Sequence, residues 1–341
     1  MIKIVVDGFG GDRSPMANVE GTVMAINQNK DLQIVLTGDE NILKEELAKY
    51  QYDASRVEIV HAPDVISCED KPTEAIKQKK ESSLVKAYDL LKQEEDIKGL
   101  VSVGSTGAVL VGSVLKIGRV KGVKRPAFCP ILPTMNNRIV GICDSGANVD
   151  CDPINLEQFA VMGSLYMEKT YGVEKPRVAL LNIGTEDTKG DMLRKETYEL
   201  IKNNNQINFV GNMESRDLLT GAYDLIVCDG FSGNVLLKST EGTAMEIMKL
   251  LKKSFMSSFK NKMGALLLKK EVMNIKTMMD YNNYGGGVML GVKKIIVKGH
   301  GSSKSNAIYH CIEQAYNMEK NHLIEAISEG ISKNIDETNK E

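Results

Sequence analysis

Residues 224–242 read DLIVCDGFSGNVLLKSTEG. A greasy run, Leu225-Ile226-Val227-Cys228, breaks off at an acid and a glycine, and a second glycine, an asparagine and then a lysine follow. An apolar run that does not alternate with polar residues is what a strand covered on both faces requires. The same pattern recurs along the chain. Strands are read at IKIVVD (2–7), QIVLTG (33–38), VEIVHA (57–62), GLVSVG (99–104) and FCPILP (128–133). Further ones are read at RIVGICD (138–144), RVALLNIG (177–184), INFVG (207–211), DLIVCDG (224–230) and KIIVKG (294–299). Helical patterns such as Ser83–Gln93, Leu156–Tyr171 and Met192–Asn203 lie between them. This alternation predicts an α/β protein with a mainly parallel sheet flanked by helices. No repeat and no Pro- or Ser-rich linker divides the chain. Residues 1–333 are read as a single catalytic domain, in one body or in two lobes sharing a sheet, with a frayed polar tail at 334–341.

Composition narrows the function classes. The chain has 341 residues, 42% apolar and 26% charged, with a net charge of −2, so nothing global draws it to nucleic acid or a membrane. No stretch reaches the ~18 apolar residues of a membrane span. The opening MIKIVVD runs straight into a strand without a leader plan, so a cytoplasmic location is expected. Six cysteines form no CxxC pair and read as buried reduced thiols, and the four histidines have no ligand spacing, so no metal is expected.

Five loops collect the small and polar residues: DGFGGD (7–12), GSTGAV (104–109), NIGTEDTKGD (182–191), DGFSGN (229–234) and KGHGSS (298–303). Each follows a predicted strand, and ligands of open α/β sheets bind at the carboxyl ends of strands. Glycine there lets backbone N–H groups approach an anion. Candidate phosphate-binding residues are Asp7, Gly10, Gly11, Gly104, Ser105, Thr106, Gly107, Gly233, His300, Ser302 and Ser303, with Lys189 and Lys298 as further cations. The spacing matches neither a GxxxxGK[ST] loop nor a clean GxGxxG, so neither standard nucleotide site is supported.

These blocks resemble the bacterial phosphate acyltransferases of the PlsX family. The resemblance runs from Val6 to about Ala307, through VDGFGGD, GSTGA, RPA (125–127), DSGANVDC (144–151), LLNIGTEDTKGD (180–191), GNMESRDL (211–218), CDGFSGNVLLKSTEG (228–242), GGGVMLG (285–291) and KGHGSS. The chain departs from the family at Gly8-Phe9 (commonly Ala-Met), at Ser105 (commonly Asn) and at Thr185-Glu186 (commonly Glu-Glu). The resemblance implies a three-layer α/β/α sandwich, Rossmann-like and akin to phosphotransacetylases and isocitrate-type dehydrogenases. It implies a homodimer that needs no cofactor and converts acyl-[acyl carrier protein] and inorganic phosphate to acyl phosphate for glycerophospholipid synthesis. The product would pass to a membrane glycerol-3-phosphate acyltransferase. Lys189 and Asn234 match the family's proposed catalytic pair.

Phosphate is already an anionic nucleophile, so no side-chain nucleophile is needed, and no GxSxG elbow is present. The obstacle is charge building on the carbonyl oxygen, which one well-aimed donor offsets by about 3 kcal/mol. An open turn at Gly230–Gly233 would admit the thioester, Asn234 would donate to the oxyanion, and Lys189 would orient phosphate. Asn234 could instead cap a helix beginning at Val235, and Lys189 could be a solvated surface lysine. His300 reads either as a proton donor to the leaving thiol or as an ordinary loop histidine. Asp7, Asp12 and Asp229 read as holding loop amides, positioning lysines or capping helices.

A helical excursion is expected at about 246–280. Within it, LKKSFMSSFKNKMGALLLKK (251–270) has lysines as its only charges, and Phe255, Phe259, Met263, Leu266 and Leu267 fit one helix face. Such a face suits reversible contact with an anionic membrane, a second subunit, or the acidic carrier protein. The rival enzyme readings are a phosphotransacetylase-like acyltransferase using coenzyme A and a nicotinamide-dependent decarboxylating dehydrogenase; the latter would need metal-binding aspartates beside an arginine-rich acid clamp. A non-catalytic phosphate or lipid sensor is the rival outside enzymes.

Overall fold

The computed structural model describes residues 1–278 and 284–338. The first half runs β1 (Ile2–Asp7), α1 (Met16–Gln28), β2 (Leu32–Gly38), α2 (Glu40–Leu47), β3 (Val57–His61), α3 (Pro72–Gln78), α4 (Ser83–Gln93), β4 (Ile97–Ser102) and α5 (Thr106–Gly112). It continues with β5 (Ala127–Cys129), β6 (Ile131–Pro133), β7 (Ile139–Cys143), α6 (Pro153–Tyr171), β8 (Val178–Asn182), α7 (Met192–Asn203), β9 (Phe209–Glu214) and β10 (Leu225–Val227). The rest is α8 (Gly230–Phe255), α9 (Phe259–Leu267), α10 (Lys269–Met278), β11 (Gly287–Leu290), β12 (Ile295–Lys298), α11 (Ser305–Lys320) and α12 (Leu323–Thr338).

The strands divide between two sheets rather than sharing one. A seven-stranded sheet has the order β3-β2-β1-β4-β12-β11-β5, and a five-stranded sheet has the order β6-β7-β10-β8-β9. All pairings are parallel except β11 with β12 and β5, and β6 with β7. The switch between sheets falls inside FCPILP, read above as one strand. Pro130 has no N–H to donate to a ladder, so β5 ends at Cys129 and β6 begins in the other sheet at Ile131. β11 was quoted only as a glycine motif; its short run between glycines gives little strand signal.

Burial on both faces explains the non-alternating runs. In β1, Ile4 and Val6 pack with Val19 and Val23 of α1 and Ile308 and Ile312 of α11, while Val5 packs with Val85, Tyr88 and Leu91 of α4. In β10, Leu225 and Val227 pack with Phe159 and Met162 of α6, and Ile226 packs with Leu236 and Leu237 of α8. Each such aliphatic side chain contributes about 1.5–3 kcal/mol on burial. The first of these cores contains residues of both sheets, so α6 and α11 tie the halves together.

The tail reads differently from the expectation. α12 continues to Thr338, and Asn334 is buried where Asn204 Nδ2 donates to its side chain at 2.6 Å. Residues 339–341 lie outside the described residues, as do 279–280 at the end of the expected excursion. That excursion is helical but not one helix. α8 stops at Phe255, Ser258 caps α9 by accepting from Asn261 N–H at 3.1 Å, and α9 stops before Leu268. Phe259, Leu266 and Leu267 stand 80%, 62% and 83% exposed. Among the described residues no helix is long and apolar enough to cross a membrane.

Candidate active site

The end of β10 sets the geometry. The quoted stretch makes no open turn, because α8 begins at Gly230 itself. Asp229 caps it, accepting from Ser232 N–H and Ser232 Oγ–H, each at 2.8 Å, and from Arg194. Burial pushes the Asp229 carboxyl upward, but the Ser232 donors and Arg194 together hold it below its usual value. Gly233 lies one turn in, with its would-be Cβ inside contact distance of the Asp144 carbonyl. Only a bare Cα lets α8 sit so close to the 144–148 loop. Asn234 is therefore a residue within the helix and not its cap. It shares one face of α8 with Leu237, Lys238 and Glu241.

That face forms a wall of a cleft of about 310 Å³. Opposing walls come from both sheets. Thr106 and Gly107 follow β4, Lys298, Gly299 and His300 end β12, and Gly285–Gly287 lead into β11. Ser145 and Gly146 follow β7, and Gly146, at φ +109°, packs beside the Asn234 side chain. Leu110, Phe128, Ile131, Leu132 and Leu237 make the apolar side. Gln314 fixes the glycine wall by accepting from Gly286 N–H at 2.8 Å and donating to Gly286 O at 3.0 Å.

The structure thus gathers Asn234, Thr106, Gly107 and His300 at one cleft, with Lys298. The remaining expected site residues sit elsewhere. Asp7 is buried, and its carboxylate accepts from Ser83 Oγ at 2.6 Å, Ser102 Oγ at 2.7 Å and Phe9 N–H at 3.4 Å. Burial raises its pKa, and these donors oppose the rise. Asp7 binds loops to one another. Gly10 packs on Asp7 and Gly104, and Gly11 on Val103 and the Gly301 carbonyl. Ser105 caps α5, accepting from Ala108 N–H at 3.5 Å. Ser303 is buried behind Gly299, and Ser302 bonds the His300 ring. Lys189 is exposed on the loop after β8, 3.9 Å from Glu186, and is not among the residues lining the cleft.

Two cleft groups have unusual surroundings. Lys298 is only 6% exposed, and burial above all lowers its pKa to about 8, with Lys238 adding repulsion. Among the described residues no carboxylate pairs with it; its ammonium donates to the neighbouring Gly299 carbonyl. His300 is lowered by burial first and then by Lys238, which keeps the ring neutral near pH 7. Ser302 N–H donates to its Nδ1 at 3.3 Å, which puts the ring proton on Nε2. Ser145 was not singled out from the sequence, although DSGANVDC follows a predicted strand in the manner of the five glycine loops.

The fold, two mostly parallel sheets flanked by helices, is shared with solved phosphotransacylases. A phosphotransacetylase from Streptococcus pyogenes superposes with TM-score 0.59 over 93% of this chain and 94% of its own, at 18% identity. A branched-chain phosphotransacylase from Enterococcus faecalis gives 0.55 over 93% and 98%, at 15%. The sequence comparisons are more specific. Residues 2–326 match the family described as "Fatty acid synthesis protein". A phosphate acyltransferase of Clostridium tetani is 48% identical over 96% of this chain and 97% of its own, and one of Clostridioides difficile is 44% identical over 97% of each. The chain belongs to this family, and it is an acyltransferase.

Proposed function

We propose that this acyltransferase moves the acyl group of an acyl-[acyl carrier protein] thioester to inorganic phosphate, supplying acyl phosphate for glycerophospholipid synthesis. One observation carries the reading: the Asn234 amide, the Thr106–Gly107 backbone and a buried lysine face a single cleft whose other side is apolar. Its volume, about 310 Å³, falls at the small end of ligand sites. That suits a phosphate beside a thioester end and the first methylenes of its chain.

In the reaction a phosphate oxygen forms a bond to the carbonyl carbon and the carbon–sulfur bond breaks. The proton of hydrogen phosphate ends on sulfur, and His300, protonated on Nε2, is the proposed relay. Asn234 donates its amide N–H to the carbonyl oxygen as negative charge gathers there. Lys189, at the neighbouring strand end, draws the anion in. Holding both reactants in one hollow removes much of the entropic barrier.

The test is phosphate-dependent release of free carrier thiol from an acylated carrier, with acyl phosphate trapped by hydroxylamine. Thiol release without phosphate would contradict the reading. A coenzyme A thioester that serves as well as the carrier thioester would move the donor to the phosphotransacetylase type.

The reading also proposes a homodimer, acting where a membrane glycerol-3-phosphate acyltransferase consumes the product, with the basic arm of α8–α10 resting on the anionic membrane surface. A Leu266→Glu, Leu267→Glu variant is expected to stop floating with anionic liposomes. Unchanged flotation would remove the membrane role.

A further inference from the structure

We propose that Lys298 and Ser145 are the residues that hold the phosphate oxyanion in the cleft. The inference rests on the reading above and names the binding residues for its nucleophile. Two independent observations on different sheets support it. The first is a lysine at the end of β12 that is 6% exposed, with no carboxylate bonded to it among the described residues. An ammonium carries three donors, and the hydrogen bond described here, to Gly299 O, accounts for one. A charge buried without its counter-ion is costly to the fold, so an anion arriving there gains what the apo protein lacks.

The second observation is a hydroxyl. Ser145 is 3% exposed, and its Oγ has no hydrogen-bond partner among the described residues. The neighbouring carboxylate is already engaged. Asp144 accepts from Phe128 N–H at 2.8 Å, Ala147 N–H at 3.2 Å, Asn148 N–H at 2.7 Å and Asn148 Nδ2 at 2.9 Å. The Ser145 backbone is pinned by its N–H bond to Phe128 O at 2.8 Å, and the residue lines the cleft. A cation with spare donors and an unspent hydroxyl, on the lining of one small cleft, fit an anion with several oxygens.

The other lysines near the strand ends are weaker candidates. Lys238, also on the lining, is paired with Glu241 at 2.6 Å. Lys189 is 47% exposed and outside the lining. Burial lowers the Lys298 pKa to about 8, so a bound anion would favour its charged form. The oxyanion could be inorganic phosphate or the phosphodiester of the carrier's pantetheine arm, and the experiment separates the two.

The full-length chain and its Lys298→Met, Lys298→Arg and Ser145→Ala variants are titrated with inorganic phosphate alone, followed by ³¹P line broadening. Each is then assayed with phosphate and with acyl carrier varied separately. Lys298→Met is expected to lose phosphate broadening and about 100-fold in kcat/KM for phosphate, with the carrier KM within about threefold. Lys298→Arg should recover part of the loss, and Ser145→Ala should lose about tenfold. Should Lys298→Met fail to fold, the unmodified chain still decides: its phosphate affinity should fall as the pH is raised past about 8. Phosphate binding that ignores both the substitution and the pH overturns the assignment. So does a loss confined to the carrier KM, which would give the lysine to the donor's phosphodiester. Phosphate bound at Lys298 with no acyl phosphate formed would leave the assignment standing and defeat the proposed reaction.

Discussion

The loops that end β8 and β12 look alike in sequence. Each puts a lysine and glycines just beyond an apolar run: Lys189 in NIGTEDTKGD and Lys298 in KGHGSS. In the folded protein they are opposites. Lys189 is 47% exposed and stands 3.9 Å from Glu186. Lys298 is 6% exposed, lines the cleft and has no acidic partner among the described residues. The difference is topological. β12 lies inside the seven-stranded sheet between β4 and β11, where Gly286 packs on the Lys298 carbonyl and Gly299 N–H donates to Ser102 O at 3.0 Å. β8 lies one strand from the edge of the smaller sheet, and Lys189 on its loop is not on the cleft lining. A strand-end lysine is thus a surface charge or an anion receptor according to what its neighbouring strands put over it.

Substitutions at the two ends sharpen that contrast. The largest kinetic effect outside the lysines is expected at Asn234, on the wall shared with Lys298. Asn234→Ala should lower kcat by about 100-fold, the value of one oxyanion donor near 3 kcal/mol, with the phosphate KM little changed. A kcat within threefold of the parent would remove Asn234 from the chemistry.

Stability should move the other way. Lys298 has an ordinary pKa of 10.5 and a folded value of about 8. The folded state therefore disfavours the charged form by roughly 3 kcal/mol below pH 8. Lys298→Met removes that cost, so urea unfolding at pH 7 should shift to higher concentration even as activity is lost. Between about pH 8 and 10.5 the unfolded chain binds the extra proton, so the parent gains stability as pH rises through this window. The variant should lack this gain. A Lys298→Met protein less stable than the parent at pH 7 would mean the amine is structural.

The pH profile gives a smaller effect with a definite sign. Lys298 is cationic below about pH 8 and neutral above it, so the phosphate KM should rise about tenfold per unit well above that point. The groups acting on it are Cys311 from α11, Lys238 from α8, Asp12 from the loop after β1, and Cys68. A rise that persists in Lys298→Met would take the effect away from this amine. The smallest kinetic effect is expected at the outer loop: Lys189→Ala should lose about tenfold or less in kcat/KM for phosphate, and more so at low salt, as befits an exposed charge. A loss at Lys189 exceeding that at Lys298 would reverse the comparison.

Much of the fold was legible because β1, β10 and β12 are apolar on both faces and signal buried parallel strands without ambiguity. The switch between sheets was not, since Phe128–Pro133 is one apolar run and only the missing N–H of Pro130 marks the break. At the site, the positions of the glycine loops were readable, and so was Asn234. The purpose of most glycines was not. Gly10 and Gly11 serve packing between loops, Gly233 lets α8 approach the 144–148 loop, and Asp7 serves the hydroxyls of Ser83 and Ser102, partners 76 and 95 residues away. Ser145 needed the fold as well, because nothing in a sequence tells a spent hydroxyl from an unspent one.

Phosphate is expected in the cleft between the two sheets. A crystal soaked with inorganic phosphate tests it most directly. The account predicts tetrahedral density within hydrogen-bonding distance of Lys298 Nζ and Ser145 Oγ, with Asn234 facing it. Density on the Lys189 loop, with the cleft holding only water, would contradict it.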